Sequence, residues 1–135
     1  MALRSNRRID GVRLWDSLMD MAQIGATPKG GVRRLALSDV DRQGRERFRS
    51  LCEEAGLKVR VDRMGNMFAR REGRDPSRLP VLFGSHLDSQ PSGGKFDGAL
   101  GVMAGLEVIR TLNELDVTTE APLELVNWTD EEGSR

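Results

Sequence analysis

Two short polar stretches contain the side chains of this chain that could bind metal ions. The first, GSHLDSQPSGGKFDG at 84–98, includes the one histidine of the sequence, and the second is TDEEG at 129–133. The candidate residues are one imidazole and four carboxylates, namely His86, Asp88, Asp97, Glu131 and Glu132. Hydrolytic metal sites use nitrogen and oxygen ligands of this kind and keep a position open for water. Together the two stretches predict a metal site.

The order of these residues indicates different roles around such a site. His86, Asp97 and Glu132 could supply the metal ligands. In sites with two metal ions the ions lie about 3.5–4 Å apart, and a carboxylate between them, a place for Asp97, relieves their repulsion. Asp88, two residues after His86, could accept a hydrogen bond from the second imidazole nitrogen and set its tautomer. Because Glu131 and Glu132 are adjacent, one could coordinate while its neighbour takes a proton from the attacking water.

Each of these residues alone also has an ordinary structural explanation. A lone histidine at the end of a strand is commonly a surface or hydrogen-bonded imidazole. Asp97 could be the N-cap of the following helix, and Glu131-Glu132 could be an acidic turn or helix start. The metal interpretation is favoured because both stretches follow apolar runs that are predicted to end at one edge of a sheet.

Two other residues are candidate nucleophiles, and both are set aside. Ser85 lies in Gly84-Ser85-His86, which lacks the second glycine of a nucleophile elbow. Cys52 lies on the apolar stripe of a predicted helix and is expected in the core.

The elements around the polar stretches predict how they meet. An apolar strand over 80–83 leads into the first stretch, a helix over 98–115 follows, and another apolar strand over 122–128 leads into the second. Strand, helix and strand at this spacing predict a crossover between parallel strands, whose carboxyl ends lie at the same sheet edge. The continuous apolar character of the first strand predicts cover on both faces. Glycines at 98, 101 and 105 predict close packing of the helix on the sheet.

The preceding half of the chain is predicted to contain two helices and a hairpin. Apolar residues recur at helical spacing over 9–22, and Ser38 is an N-cap candidate for a second amphipathic helix that ends near Gly56. Alternating residues over 57–61 and a turn at 64–66 predict a hairpin with 67–70. The loop over 25–37 is expected to expose Arg33 and Arg34.

The composition fits one soluble globular domain and limits the classes of partner. The 135 residues carry 21 basic and 21 acidic side chains, so no net charge would attract nucleic acid or an anionic membrane. No apolar run reaches the roughly 18 residues of a membrane span. A single cysteine cannot form an internal disulfide, which favours a cytoplasmic protein. Binding to nucleic acid or to a membrane is therefore not expected.

The two motifs resemble those of a known enzyme family. The segments GSHLDSQPSGGKFDGALGV and VNWTDEEGSR are similar to those of the hydantoinase/carbamoylase family of amidases, which belongs to the larger group of two-metal aminoacylases and carboxypeptidases. The resemblance extends from about residue 9 to the last residue. It implies an α/β fold: a partial mixed sheet with helices packed on it, in the N-terminal part of a two-metal exopeptidase-like catalytic domain.

The resemblance also implies roles for individual residues. His86 would ligate one metal, Asp97 would bridge both, Glu132 would ligate the second, Glu131 would be the general base, and Asp88 would steady the histidine. The implied metals are two divalent ions, which are zinc, manganese, cobalt or nickel in this family. The implied partner is a small-molecule substrate, an N-carbamoyl amino acid or a ureide. The implied reaction is hydrolysis of the carbamoyl C–N bond of N-carbamoyl-L-amino acids or N-carbamoyl-β-alanine.

The chain departs from the family in its length. Family members continue with further histidine ligands, substrate-binding residues and an inserted dimerisation domain, so residues 1–135 are interpreted as the N-terminal portion of the catalytic domain, expected to be inactive alone. The parent enzyme is expected to be a homodimer. The alternatives are an allantoate amidohydrolase or related metallo-dipeptidase, and a non-enzymatic remnant or one half of a split enzyme.

Overall fold

The computed structural model describes residues 7–135, in which helices and strands follow one another in the predicted order. Their bounds are α1 Gly11–Gln23, α2 Asp39–Glu54, β1 Lys58–Val61, β2 Met67–Arg71, β3 Val81–His86, α3 Ala99–Glu114 and β4 Leu123–Trp128. None of the helices within this described range is long and apolar enough to cross a membrane.

The strands form one mixed sheet in the order β1-β2-β4-β3. β1 and β2 are the predicted antiparallel hairpin, and β2 is also antiparallel to β4. β3 and β4 are parallel, as the strand, helix and strand pattern predicts, with His86 opposite Trp128. The carboxyl ends of β3 and β4 therefore lie side by side, and the residues that follow them share one edge of the sheet.

Local hydrogen bonds explain where the first two helices begin. The Asp10 side chain accepts from the N–H groups of Val12 and Arg13, which would otherwise lack partners in the first turn of α1. Ser38 caps α2 in the same way, because its hydroxyl accepts from the N–H of Asp41 at 3.1 Å. α3 begins differently: Gly98 occupies its N-cap position and no side chain caps it. Asp97 is therefore free of the capping role that its position allows.

The helices pack on one face of the sheet and enclose the hydrophobic core. Each helix contributes to the core, as do the sheet residues that point the same way, and the central members are Met21, Phe48, Met103, Leu106 and Leu125. The opposite face is more polar, since Glu124 lies there between Arg60 and Arg70 at 3.1 and 3.5 Å. A sheet covered by helices on one face places its functional groups at the strand ends.

The glycines of α3 allow the close packing predicted from the sequence. A Cβ atom at Gly105 would lie 2.6 Å from Leu125 Cδ1, and one at Gly101 would lie 2.8 Å from Ser85 Cβ. A glycine in a helix interior weakens the helix by about 1 kcal/mol relative to alanine. In return, the missing side chains allow α3 to lie directly against β3 and β4, the two strands that it connects.

Two expectations from the sequence are wrong. β3 is not covered on both faces, because Val81 and Leu82, whose side chains point to opposite faces, are both half-exposed. β3 is also the edge strand of the described sheet. Arg34 is not exposed but only 1% accessible. Its segment is extended and forms an isolated bridge between Val32 and Gly93, so that Val32, Arg34 and Ala36 all point inward. Arg33, between them, is exposed as expected.

Candidate metal centre

Three side chains that are distant in sequence converge beyond the ends of β3 and β4. His86 is the last residue of β3, Asp97 lies just before α3, and Glu132 lies in the turn after β4. One ligand atom from each lies within 4.8 Å of the others. These are the three residues that are predicted from the sequence to be metal ligands. The crossover brings them together, because it returns the chain to a parallel strand beside β3.

The imidazole of His86 is buried and oriented by its neighbours. Nδ1 lies 2.9 Å from the backbone oxygen of Asp88, and with the proton on Nδ1 this is a donated hydrogen bond. The lone pair of Nε2 then faces the open side, with a Glu131 oxygen at 3.3 Å and an Asp97 oxygen at 3.8 Å. The Asp88 side chain and, more weakly, Glu131 raise the pKa of His86 to about 9 against the opposing effect of burial. Nitrogen and carboxylate oxygens thus surround a position that attracts positive charge.

Asp88 joins the two strand ends. Its carboxylate lies 3.5 Å from His86 Nδ1, and the two oxygens accept from the N–H groups of Glu131 at 3.3 Å and Glu132 at 3.2 Å. Burial would raise the pKa of Asp88, but the contacts with His86 and these N–H groups lower it below its ordinary value. A contact between Asp88 and His86 is predicted from the sequence. The imidazole hydrogen bond is accepted by the backbone oxygen of Asp88, and the Asp88 carboxylate accepts from the N–H groups of the second acidic stretch.

The turn after β4 is held at its base by the hairpin. The N–H of Thr129 donates to the Asn66 side chain at 2.9 Å, and its hydroxyl donates to the oxygen of Gly65 at 2.7 Å. Asp130 accepts from the N–H of Ser134 at 3.1 Å. Asp130 therefore completes the turn, and Glu131 and Glu132 are the acids that face His86. Neither Asn66 nor Thr129 stands out in the sequence, because both belong to ordinary turn segments.

The carboxylate of Glu132 has one oxygen with a partner and one without. Oε2 accepts from Gln90 Nε2 at 2.8 Å. Oε1 is buried and has no hydrogen-bond partner among the described residues. A buried carboxylate oxygen without a partner is costly unless a cation or another donor reaches it. His86 Nε2 offers a lone pair beside this oxygen when the imidazole is neutral, and the nearby carboxylates that raise the His86 pKa attract a metal ion as they do a proton. The residues present therefore fit divalent cations.

Gly98 permits the close approach of α3 to His86. Its φ angle of 68° lies in the left-handed region that side chains disfavour. A Cβ atom at this position would lie 2.4 Å from the oxygen of His86 and 2.6 Å from its ring carbon Cε1. Asp97, immediately before Gly98, keeps its side chain 61% exposed. The glycine thus allows an accessible carboxylate to stand next to a buried imidazole.

Comparison with known proteins gives the class of this domain and then its family. The four-stranded mixed sheet with helices packed on it matches the N-terminal part of carbamoylase and M28-type domains. The profile of Peptidase family M28 matches residues 66–135, which is more than half of the chain. The chain belongs to this family.

The individual relatives are amidohydrolases and related hydrolases. An N-carbamoyl-L-amino-acid amidohydrolase of Rhizobium meliloti is 58% identical over 130 residues, covering 96% of this chain and 31% of the relative. A ureidoglycolate hydrolase of Oryza sativa is 35% identical, over 94% of this chain and 26% of the relative. The crystal structure of a hydantoinase/carbamoylase family amidase from Burkholderia ambifaria is 63% identical, with a TM-score of 0.94 over 96% of this chain and 32% of the other.

These comparisons confirm the resemblance and the fold class inferred from the two motifs. The chain spans about a third of the length of the curated relatives that it matches. The activity, substrates and partners of a complete protein are therefore matters for proposal.

Proposed function

We propose that this chain supplies metal ligands and the general base of an amidohydrolase that cleaves the carbamoyl C–N bond of N-carbamoyl-L-amino acids or N-carbamoyl-β-alanine. The convergence of His86, Asp97 and Glu132 is the observation that carries the proposal. The choice of substrate is supported by the 58% identity to a relative named N-carbamoyl-L-amino-acid amidohydrolase.

The proposed ligand set consists of groups with free donor atoms. His86 Nε2 and Glu132 Oε1 would each hold a cation, and Asp97 would lie between two ions, with zinc, manganese, cobalt or nickel as the candidate metals. When bound, such ions polarise a carbonyl group and lower the pKa of water. Asp88 would keep the His86 ring oriented through the contact of its backbone oxygen with Nδ1.

Glu131 is the proposed general base. Its side chain is 51% exposed, so water and substrate can reach it, and one of its oxygens lies 3.3 Å from His86 Nε2. The carboxylate would take a proton from the attacking water and pass it to the leaving nitrogen. The carbamoyl carbon gains the water oxygen, its bond to the amino-acid nitrogen breaks, and that nitrogen receives the proton, which gives the amino acid and carbamic acid. Carbamic acid then loses carbon dioxide as its hydroxyl proton passes to nitrogen, and ammonia is released.

The complete enzyme would extend beyond the residues described here. We place residues 1–135 in the N-terminal portion of its catalytic domain, with the remaining ligands and the substrate-binding residues on other segments, and we propose a homodimer. Its proposed location is the cytoplasm, which agrees with the free and buried thiol of Cys52. An allantoate amidohydrolase or related ureide hydrolase is the second candidate, supported by the 35% identity to the ureidoglycolate hydrolase.

A chimera tests the activity. The 130 matching residues of the Rhizobium meliloti relative would be replaced by those of this chain, and ammonia release would be measured with N-carbamoyl-L-amino acids, allantoate and ureidoglycolate in the presence of manganese or zinc. We expect the chimera to hydrolyse N-carbamoyl-L-amino acids. The Glu131→Gln substitution in the chimera should abolish this activity. Preference for a ureide would favour the second candidate, and a chimera that folds and binds metal but releases no ammonia from any substrate would contradict both.

A further inference from the structure

Arg34 is a buried charged residue to which the proposed function gives no role. Only 1% of the residue is exposed. Its Nε donates to the backbone oxygen of Leu87 at 2.6 Å, and its Nη1 donates to the oxygens of Met21 and Ile24 at 3.0 and 2.6 Å. Among residues 7–135 no carboxylate lies close enough to form an ion pair with it. A buried cation that relies on carbonyl groups is unfavourable unless those contacts are well formed.

The surroundings of Arg34 are built to accept its charge. Met21 is in the last turn of α1 and Ile24 is its C-cap, where the helix dipole is negative. The carboxylates of Asp41 and Asp88 also favour the cation, although burial has the larger effect and lowers the pKa of Arg34. Gly44 of α2 makes room for the side chain, because a Cβ atom there would lie 2.8 Å from Arg34 Cδ. A helix-interior glycine is unfavourable in itself, so the space has a structural use.

The backbone of Arg34 contacts the same segment as its side chain. The N–H of Arg34 donates to Ser89 Oγ at 2.8 Å, and the N–H of Ser89 donates to the oxygen of Arg34 at 2.8 Å. With the bond to Leu87, one residue therefore holds both ends of the segment 87–89. The contacts join this segment to α1 and to the extended strand-like segment around Val32.

The segment 87–89 determines the geometry of the metal ligands on both strand ends. It follows His86 directly, and the oxygen of Asp88 orients the His86 ring through Nδ1 at 2.9 Å. The Asp88 carboxylate holds the N–H of Glu132 at 3.2 Å. A shift of Leu87 or Ser89 would therefore move the imidazole and the glutamate together.

We propose that Arg34 is a positioning residue for the metal centre, which holds the segment 87–89 so that His86 and Glu132 lie beside Asp97 and can each hold a cation. The role in metal binding rests on the proposed function. The contacts by which Arg34 fixes the segment 87–89 do not rest on the proposed function, because they are present in the chain without metal.

The test compares Arg34→Lys with Arg33→Lys, a matched control at the exposed neighbour. Lysine keeps the charge but cannot donate to three carbonyl groups in the planar geometry of a guanidinium. Three quantities would be measured on the 135-residue chain: hydrogen exchange of the 86–89 amides without metal, Co²⁺ binding with its visible absorption spectrum, and stability to urea. In Arg34→Lys we expect exchange and the Co²⁺ dissociation constant each to rise about tenfold or more, with an altered spectrum. Arg33→Lys should match the parent.

The measurements separate positioning from structural support and from failure of the proposed site. If Arg34→Lys loses stability but keeps the parent's Co²⁺ spectrum and affinity, Arg34 is only structural and the proposal is overturned. Because the remaining ligands would lie on other segments, Co²⁺ binding is also measured in the chimera. If neither the parent chain nor the chimera binds Co²⁺, the metal centre fails, and unchanged exchange at 86–89 would still overturn the hold by Arg34. Should Arg34→Lys not fold, Ser89→Ala removes one bond of the hold and is expected to change exchange and Co²⁺ affinity in the same direction.

Discussion

The carboxylate of Asp88 accepts a hydrogen bond from the backbone N–H of Glu132, with donor and acceptor 3.2 Å apart, and so connects the ends of β3 and β4. Asp88→Asn tests this connection. The asparagine keeps the size of the side chain but loses its charge and replaces one acceptor oxygen with a donor, which would face an N–H group or His86 Nδ1. Because such supporting contacts orient metal ligands, we expect Co²⁺ affinity of the chain to fall by about 10–100-fold in a direct titration.

Asp75→Asn is the matched control for this change. Asp75 is an acid in a surface turn, where its carboxylate accepts from the N–H of Ser77 at 3.0 Å. The substitution alters the net charge equally and should leave Co²⁺ affinity unchanged. Equal affinity of Asp88→Asn and the parent chain would show that the connection between the strand ends does not support the site.

Gly98→Ala is expected to disrupt the site from the side of α3. The alanine Cβ would lie 2.4 Å from the His86 oxygen and 2.6 Å from its ring, and the φ angle of 68° adds backbone strain. We expect a loss of about 1–3 kcal/mol in the free energy of unfolding and a weakening of Co²⁺ binding. Urea denaturation in the presence and in the absence of Co²⁺ measures both effects.

Gly94→Ala separates this effect from a general effect of glycine replacement. A Cβ atom at Gly94 has no neighbour within 4 Å, although the residue lies in the same loop. The control should bind Co²⁺ as the parent does. If Gly98→Ala also behaves like the parent, His86 is not confined by the start of α3.

The order of elements and the candidate ligands could be predicted because their signals are local. Period-two and helical patterns mark the strands and helices, and a parallel connection between β3 and β4 requires that 86–97 and 131–132 meet at one edge. The burial of Arg34 could not be predicted in this way, because it depends on carbonyl groups from α1 and from Leu87, far away in sequence. The alternation of Val32, Arg34 and Ala36 was the available signal, and the arginine pair at 33–34 is more typical of a surface.

The exposure of β3 also depends on what lies beside it. An apolar run such as VLF at 81–83 is typical of a strand covered on both faces, but no local pattern says whether another strand or helix lies against it. In the described residues β3 is at the edge. Pattern alone therefore identifies a strand more reliably than its neighbours.

The thiol of Cys52 should be unreactive in the folded chain. It is fully buried, and burial raises its pKa to about 12 from an ordinary value near 9. Because the thiolate is the reactive form, labelling by a thiol reagent at pH 8 should be about a thousandfold slower in the folded chain than in urea. The folded state holds this proton more tightly, so the associated stability is present below pH 9 and declines as the pH rises toward 12. Rapid labelling of the folded chain would contradict the buried position.

The contact between Arg13 and Glu107 should make the stability of the chain sensitive to acid. Burial would raise the pKa of Glu107, but hydrogen bonds from Arg13 and the Asp10 N–H lower it below the ordinary 4.5. The associated stability is therefore present above pH 4.5 and is lost as the pH falls through the lower folded value. Glu107→Gln should reduce the free energy of unfolding by about 1–3 kcal/mol at pH 7 and flatten its dependence on pH below 5. Glu114→Gln, which removes the exposed partner of Arg13, should do neither; equal pH profiles for all three chains in urea denaturation would exclude this contribution.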